Sequence, residues 1–300
     1  MHAAILTACL FALTGLCATQ ASRLLGGGLA NLLRLALAVI MLATWSHSFG
    51  SGFRGYALPW FLLAGGIGFG LGGWCVFQAL RRIGSTLTLL IVECAAAVFA
   101  TAIAWTWLGA SLSTAQLVAA ASILTGVVIG MSPAPIPLLS KHVLFAGCAL
   151  ALAAAFFQAI SFNLSRHAFN LIQEAGLSAA PLSAAYQRLV GGVCIALPLY
   201  ALTRYLAPRK PEAPEIFKKS PLPAPVWVLL NALFGPVLGV SAMLWAISMV
   251  PNPGLVQAVA ATATLLTVPL AYILEGARPA RNYYLGCLLA LGGTAVLLIV

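Results

Sequence analysis

The chain contains no aspartate, and its acidic residues are five glutamates: Glu93, Glu174, Glu212, Glu215 and Glu275. That absence excludes an aspartyl intramembrane protease and any aspartate-rich metal site. Charge of either sign is scarce, at 7% of residues, against about 25% in a soluble globular domain. The sequence also lacks a CxxC pair, an HExxH, a GxSxG and a Walker loop, so zinc hydrolase, serine hydrolase and ATP-driven chemistry have no motif to rest on. The four histidines (His2, His47, His142, His167) fall at the ends of apolar runs or in links, and the seven cysteines lie singly inside such runs, as small core residues do. No enzyme activity, metal or cofactor is therefore expected.

What the sequence has in abundance is apolar length. Hydrophobic residues make up 62% of it, in runs of about 20 that recur from end to end, as membrane spans require. The runs do not alternate, which excludes a β-barrel. Helices are the form that satisfies every backbone group in lipid. The reading is an all-α membrane protein of ten spans, near residues 3–21, 28–46, 57–80, 85–108, 114–131, 142–165, 179–204, 223–249, 253–274 and 281–300. Residues 1–21 have no basic leader and no small-x-small cleavage site, so they are read as the first span. The net charge of +10 sits mostly in short links between spans, which points to lipid orientation and not to nucleic acid.

The first five spans resemble the second five. ATQASR (18–23) parallels ISFNLSR (160–166), and NLLRLAL (31–37) parallels AYQRLVG (185–191), which matches Arg34 with Arg188. Gly68 and Gly72 of span three match Gly235 and Gly239 of span eight, 167 positions on, and Gly126 is matched with Gly292. Five is odd, so two five-span halves enter the membrane in opposite orientations, an inverted repeat of the kind found in secondary transporters. The halves are placed at 1–131 and 142–300, joined by a linker at 132–141, with a charged loop at 204–222. Eleven Lys and Arg residues lie in odd-numbered links and two, Arg54 and Arg166, in even-numbered ones. The positive-inside rule then sets both termini outside a multi-pass inner-membrane protein.

The segments QALRRIGSTLTLLIVECAAAVFATAIAWTWLGASLS and WAISMVPNPGLVQAVAATATLLTVPLAYILEGARP, with the ten spans and the duplication, resemble the EamA-type carriers of the drug/metabolite transporter superfamily. The resemblance implies a secondary active transporter. The carrier so implied is an exporter of amino acids or related small metabolites, working by alternating access around a central cavity. The alternatives are an importer of an organic anion or cation from the same superfamily, or a membrane scaffold that transports nothing. The expected partners are a small-molecule substrate, the lipid bilayer and a coupling proton.

Within the spans, Glu93 carries the strongest signal. A mid-span carboxylate costs roughly 2.5–3.5 kcal/mol to insert and marks a functional position by default. It is a candidate for binding a cationic group of the substrate or a coupling proton. Arg34 and Arg188 are candidates at matching positions in the two halves, Arg188 the deeper and Arg34 a partner of Glu93 in holding a zwitterion. Gln158, Asn231 and Gln257 are cavity candidates, and Trp74 and Trp245 are candidates to wall an apolar pocket. The GxxxG pairs Gly68/Gly72 and Gly235/Gly239 favour close helix packing. Pro198, Pro236 and Pro269 are expected to kink spans seven, eight and nine.

Overall fold

The computed structural model describes residues 1–131, 141–206, 222–275 and 281–299, so the expected linker and most of the charged loop lie outside the described residues. The described residues contain no strand. The helices are α1 (His2–Leu25), α2 (Gly27–Phe49), α3 (Leu58–Gly65), α4 (Gly73–Leu108), α5 (Thr114–Met131), α6 (Lys141–Glu174), α7 (Pro181–Leu206), α8 (Ala224–Ala232), α9 (Val240–Met249), α10 (Pro253–Ala261), α11 (Ala263–Glu275) and α12 (Arg281–Ile299). Large apolar side chains such as Ile40, Phe145, Leu288 and Leu291 cover the outside, as lipid-facing surfaces do.

Spans three and eight are each interrupted by a seven-residue π-helical segment, Gly66–Gly72 and Leu233–Gly239. The two segments are 167 positions apart, the same offset as the glycine pairs. Both carry the wide turn of a π-helix. A Cβ on Gly72 would stand 3.4 Å from the Ile67 carbonyl oxygen, and one on Gly239 would stand 2.6 Å from that of Phe234, each five residues back. Pro236 lies inside the second π segment, whereas Pro198 and Pro269 lie inside α7 and α11.

The halves interlock. Span three packs on α6, the first helix of the second half, and span eight packs on α1, the first helix of the first half. The glycine pairs make these contacts. A Cβ at Gly68 would stand 2.8 Å from Ser161 Cβ, and one at Gly72 would stand 3.4 Å from Phe157 Cβ. In the other half, Gly235 faces Thr14 at 3.0 Å and Gly239 faces Phe11 at 2.7 Å. These pairings make Phe11 equivalent to Phe157 and Thr14 equivalent to Ser161, offsets of 146 and 147. The parallel between the two Ser-Arg endings, at 143, is thus one helical turn out of register.

Helices α5 and α12 pair across the same two-fold relation. Gly126 sits against Gly286 and Ala290, and Gly293 sits against Ala119 and Ile123, each 167 positions from its counterpart. The partner of Gly126 is therefore Gly293 and not Gly292, where an added Cβ would meet no neighbouring helix or side chain within 4 Å. Adjacent glycines look alike in sequence, and only the contact separates them.

Two expected boundaries differ. The link expected at 81–84 is helical, because hydrogen bonding continues from Gly73 to Leu108. The chain nevertheless doubles back within this stretch. Phe157 of α6 lies beside Gly72, and its neighbour Phe156 meets Phe99 edge to face, with ring centroids 5.8 Å apart. The ninth span is two helices that meet at Thr262. There Thr262, Thr264 and Thr267 each bond the carbonyl three residues back, at 2.7, 2.8 and 2.6 Å, a local competitor that bends helices.

Candidate functional site

Helices α4 and α10 run antiparallel at close range. Gly254 makes this possible, because a Cβ there would overlap the Thr101 hydroxyl oxygen and stand 2.6 Å from the Thr101 nitrogen. One turn further along α10, Gln257 is fully buried, and its Nε2 donates to Glu93 Oε2 at 2.6 Å. The Gln257 Oε1 has no hydrogen-bond partner. Glu93 and Gln257 were separate candidates in the sequence, and the fold brings them into one contact between the fourth spans of the two halves. At the offset of 167 their counterparts are Ala260 and Leu90, so this polar pair has no apolar-free duplicate in the repeat.

Arg34 and Glu93 do not meet. Arg34, half-buried on α2, donates from Nη2 to Asn31 Oδ1 at 2.7 Å on its own helix. Arg188 is placed differently. It is 2% exposed on α7, with its guanidinium carbon 5.5 Å from the Phe69 ring centroid and 5.7 Å from that of Phe162. Its Nη2 donates to Ser161 Oγ at 2.7 Å, and Ser161 in turn donates to the Ala64 carbonyl at 2.6 Å. Arg188 Nε and Nη1 are buried without a partner. The helices reach backbone contact here, since a Cβ on Gly65 would overlap the Arg188 carbonyl and one on Gly191 would overlap that of Leu62.

The remaining candidates are dispersed. Asn231 is buried with Oδ1 unpaired, near the unpaired Thr14 hydroxyl across the α1–span eight seam. Gln158 is half-buried on α6. Trp74 and Trp245 do not share a pocket. Trp74 packs with Cys75, Phe157 and their neighbours between α4 and α6, its indole nitrogen unpaired. Trp245 lines a groove of about 440 Å³ with Leu6, Leu10, Pro181, Leu182, Leu238, Ser241 and Ala242. This groove is apolar and opens between α1, α7 and span eight. Glu93 and Arg188 are not among its lining residues.

At the end of the bundle that carries the even-numbered links, the halves are fastened. Ser46 Oγ donates to Ser183 Oγ at 3.0 Å, and the His47 Nε2 and Tyr186 hydroxyl are 3.2 Å apart. Gln187 Nε2 donates to the carbonyls of Gly52 and Arg54 at 3.1 and 3.0 Å. Asn252 caps α10 by accepting from the Gly254 N–H at 2.9 Å, and its Nδ2 donates to the Ala110 carbonyl at 2.9 Å. His167 lies between the rings of Trp60 and Trp107, at 4.7 and 5.2 Å. Arg166, expected in a link, is inside α6 and donates to the carbonyls of Ile247 and Ser248 at 2.9 and 2.6 Å. A cation on the last carbonyls of α9 complements the helix dipole. Ser161, Arg166 and Asn252 were not read from the sequence as part of this machinery. An Asn before Pro-Gly is a recognisable cap, but a serine among alanines carries no signal of its own.

Known proteins share this architecture. A solved structure described only as the crystal structure of a protein superposes with a TM-score of 0.71 at 20% identity, over 97% of this chain and 94% of its own. That likeness is one of fold. No curated protein sequence matches the chain. The family model for EamA-like transporters matches twice, over residues 1–131 and 145–299. With two helical repeats, spans apolar enough to cross a bilayer and this double match, the chain belongs to the EamA-like transporter family of the drug/metabolite transporter superfamily, whose members are multi-pass membrane transporters.

Proposed function

We propose that the protein is a secondary active exporter of small polar metabolites, amino acids or related compounds, that works by alternating access between its two halves. The observation that carries this reading is the Glu93–Gln257 hydrogen bond, at 2.6 Å, between the fourth span of one half and its counterpart in the other. A carboxylate at that depth bonded across the seam is poised to report its own protonation to both halves. Ionised, Glu93 accepts from Gln257 Nε2 and leaves Oε1 without a donor. Protonated, it carries an O–H that satisfies Oε1 once the amide turns over. Proton binding then reverses the polarity of the contact, and the substrate competes for the same groups.

Buried polar atoms without partners support an interior that takes a ligand. They belong to Thr14, Trp74, Asn163, Arg188, Asn231 and Gln257 among others. Unmatched polar groups are rare in folded interiors and call for a reason. The hydrogen bonds at the even-link end support a state shut on that face. With both termini outside, that face is the outer one of an inner-membrane protein, and solute is loaded from the cytoplasm.

The test is efflux from vesicles loaded with a panel of labelled amino acids and small organic acids. The wild-type chain moves at least one class, and Glu93→Gln abolishes its movement and its dependence on pH while leaving the protein folded. Unchanged transport and an unchanged pH profile in Glu93→Gln would sink the assignment of Glu93. No movement of any solute by wild type would favour the scaffold reading.

A further inference from the structure

We propose that Arg188, oriented by Ser161 and covered by Phe69 and Phe162, is a receptor for one carboxylate group, so that the transported compound is a small organic carboxylate with an apolar or aromatic body. This deepens the carrier reading above and rests on it.

The guanidinium of Arg188 has five N–H groups in a planar fork and no acceptor. In the structure one of them is used, from Nη2 to Ser161, while Nε and Nη1 are buried with nothing to receive them. Nη2 has one hydrogen on the Nε side of the fork and one on the Nη1 side. Ser161 takes one of the two, so the other edge keeps both of its donors. An intact edge is the geometry that a carboxylate fills with two parallel hydrogen bonds.

Ser161 also fixes the orientation. Its hydroxyl hydrogen is spent on the Ala64 carbonyl, so the oxygen that faces Arg188 is an acceptor. Phe69 and Phe162 approach the guanidinium carbon at 5.5 and 5.7 Å, within the range of ring–cation attraction. Neither ring accepts a conventional hydrogen bond. Gly68 leaves room for the arrangement, since a Cβ there would stand 2.8 Å from Ser161 Cβ and 3.8 Å from Arg188 Nη2. Phe69 comes from the first half, whereas Ser161, Phe162 and Arg188 come from the second, so a ligand on this cation bridges the two.

What is missing is the anion. Among the described residues no carboxylate pairs with Arg188, and Glu93 is committed to Gln257. A buried cation without a counter-charge is strongly unfavourable, so its retention calls for an anion that comes and goes. One guanidinium neutralises one negative charge. A phosphate dianion would leave a second charge uncompensated between two phenyl rings, which favours a monocarboxylate.

The experiment is thermal unfolding of the purified full-length chain in detergent, with matched pairs of probes: benzoate and benzamide, phenylacetate and phenylacetamide, L-phenylalanine and its amide, with inorganic phosphate alongside. The expected result is stabilisation by acids and not by their amides. Arg188→Met should raise the Kd for the acids by roughly 10- to 100-fold, the loss expected when a charged hydrogen-bonding partner is removed. Its unliganded Tm should equal or exceed that of wild type, because an unpaired buried charge is gone. Ser161→Ala, a milder change, should weaken acid binding and leave the fold intact. Acids and amides stabilising equally would overturn the proposal. So would acid binding retained in Arg188→Met, or an unliganded Tm several degrees below wild type, which would make Arg188 a structural cation. Vesicle transport separates the two levels. Acid binding that Arg188→Met abolishes, without any transport, overturns the carrier reading and keeps the site. Transport that is indifferent to Arg188→Met keeps the carrier and overturns the site.

Discussion

Arg34 and Arg188 occupy matching places in the two halves, yet one lies half-buried against its own helix and the other is sealed between phenyl rings. Their neighbours explain the contrast. Beside Arg188, span three presents Gly65, and three and four residues on α7 itself presents Gly191 and Gly192. At the corresponding offsets the other half has Ala232 on span eight and Leu37-Ala38 on α2. Helix α7 packs extensively against span three, through glycines that permit backbone contact, whereas α2 touches span eight more lightly. A few methyl and isobutyl groups thus set how closely the helices pack beside a duplicated arginine. The frame of the repeat is shared, and the chemistry is confined to one side of it. The same holds for Glu93 and Gln257, whose counterparts are apolar.

The sharpest way to break this comparison is Gly65→Ala. The added methyl overlaps the Arg188 carbonyl and forces α3 and α7 apart, with an expected loss of about 3 kcal/mol, seen as a lowered Tm in detergent. Ala232→Gly, the reciprocal change, should cost no more than about 1 kcal/mol, the price of glycine in a helix. Equal effects would mean that this methyl does not set the approach. A smaller effect is expected from Asn252→Ala, which removes both the α10 cap and the strap to Ala110. It should destabilise by about 1 kcal/mol and speed hydrogen exchange around residues 250–254 and 109–111; unchanged exchange would show that the strap does not hold the even-link end. The smallest belongs to Arg34→Gln, expected within about 0.5 kcal/mol of wild type with carboxylate-dependent stabilisation intact. A loss like that of Arg188→Met would erase the distinction between the two arginines.

Much of the frame was legible because it rests on composition and spacing. Apolar length located the spans, and the 167-residue glycine offset located their duplication. Glu93 stood out because a carboxylate in an apolar run is expensive. Gln257 was a candidate too, but its pairing with Glu93 was not legible, because a contact between residues 164 positions apart depends on how α4 and α10 cross. The register of the first spans was misjudged by a turn because a shared Ser-Arg ending outweighed the weaker Phe11/Phe157 and Thr14/Ser161 parallels, which packing reveals. Arg166 read as a link residue because charge after an apolar run ordinarily marks the membrane surface. Here α6 continues, and the guanidinium reaches the open carbonyls of a neighbouring helix. Trp74 and Trp245 were grouped by residue type, but they stand on opposite sides of the two-fold relation.

The paired π segments bear on ancestry. A π turn arises when one extra residue is lodged in an α-helix, and this chain has one at the same place in each half. Two independent insertions at equivalent sites are far less economical than one insertion followed by a doubling of the gene. The forebear was then a five-helix polypeptide that already had the irregular turn. Since its helix count was odd, a doubling of the gene by itself sets the two copies in opposite orientations in the bilayer.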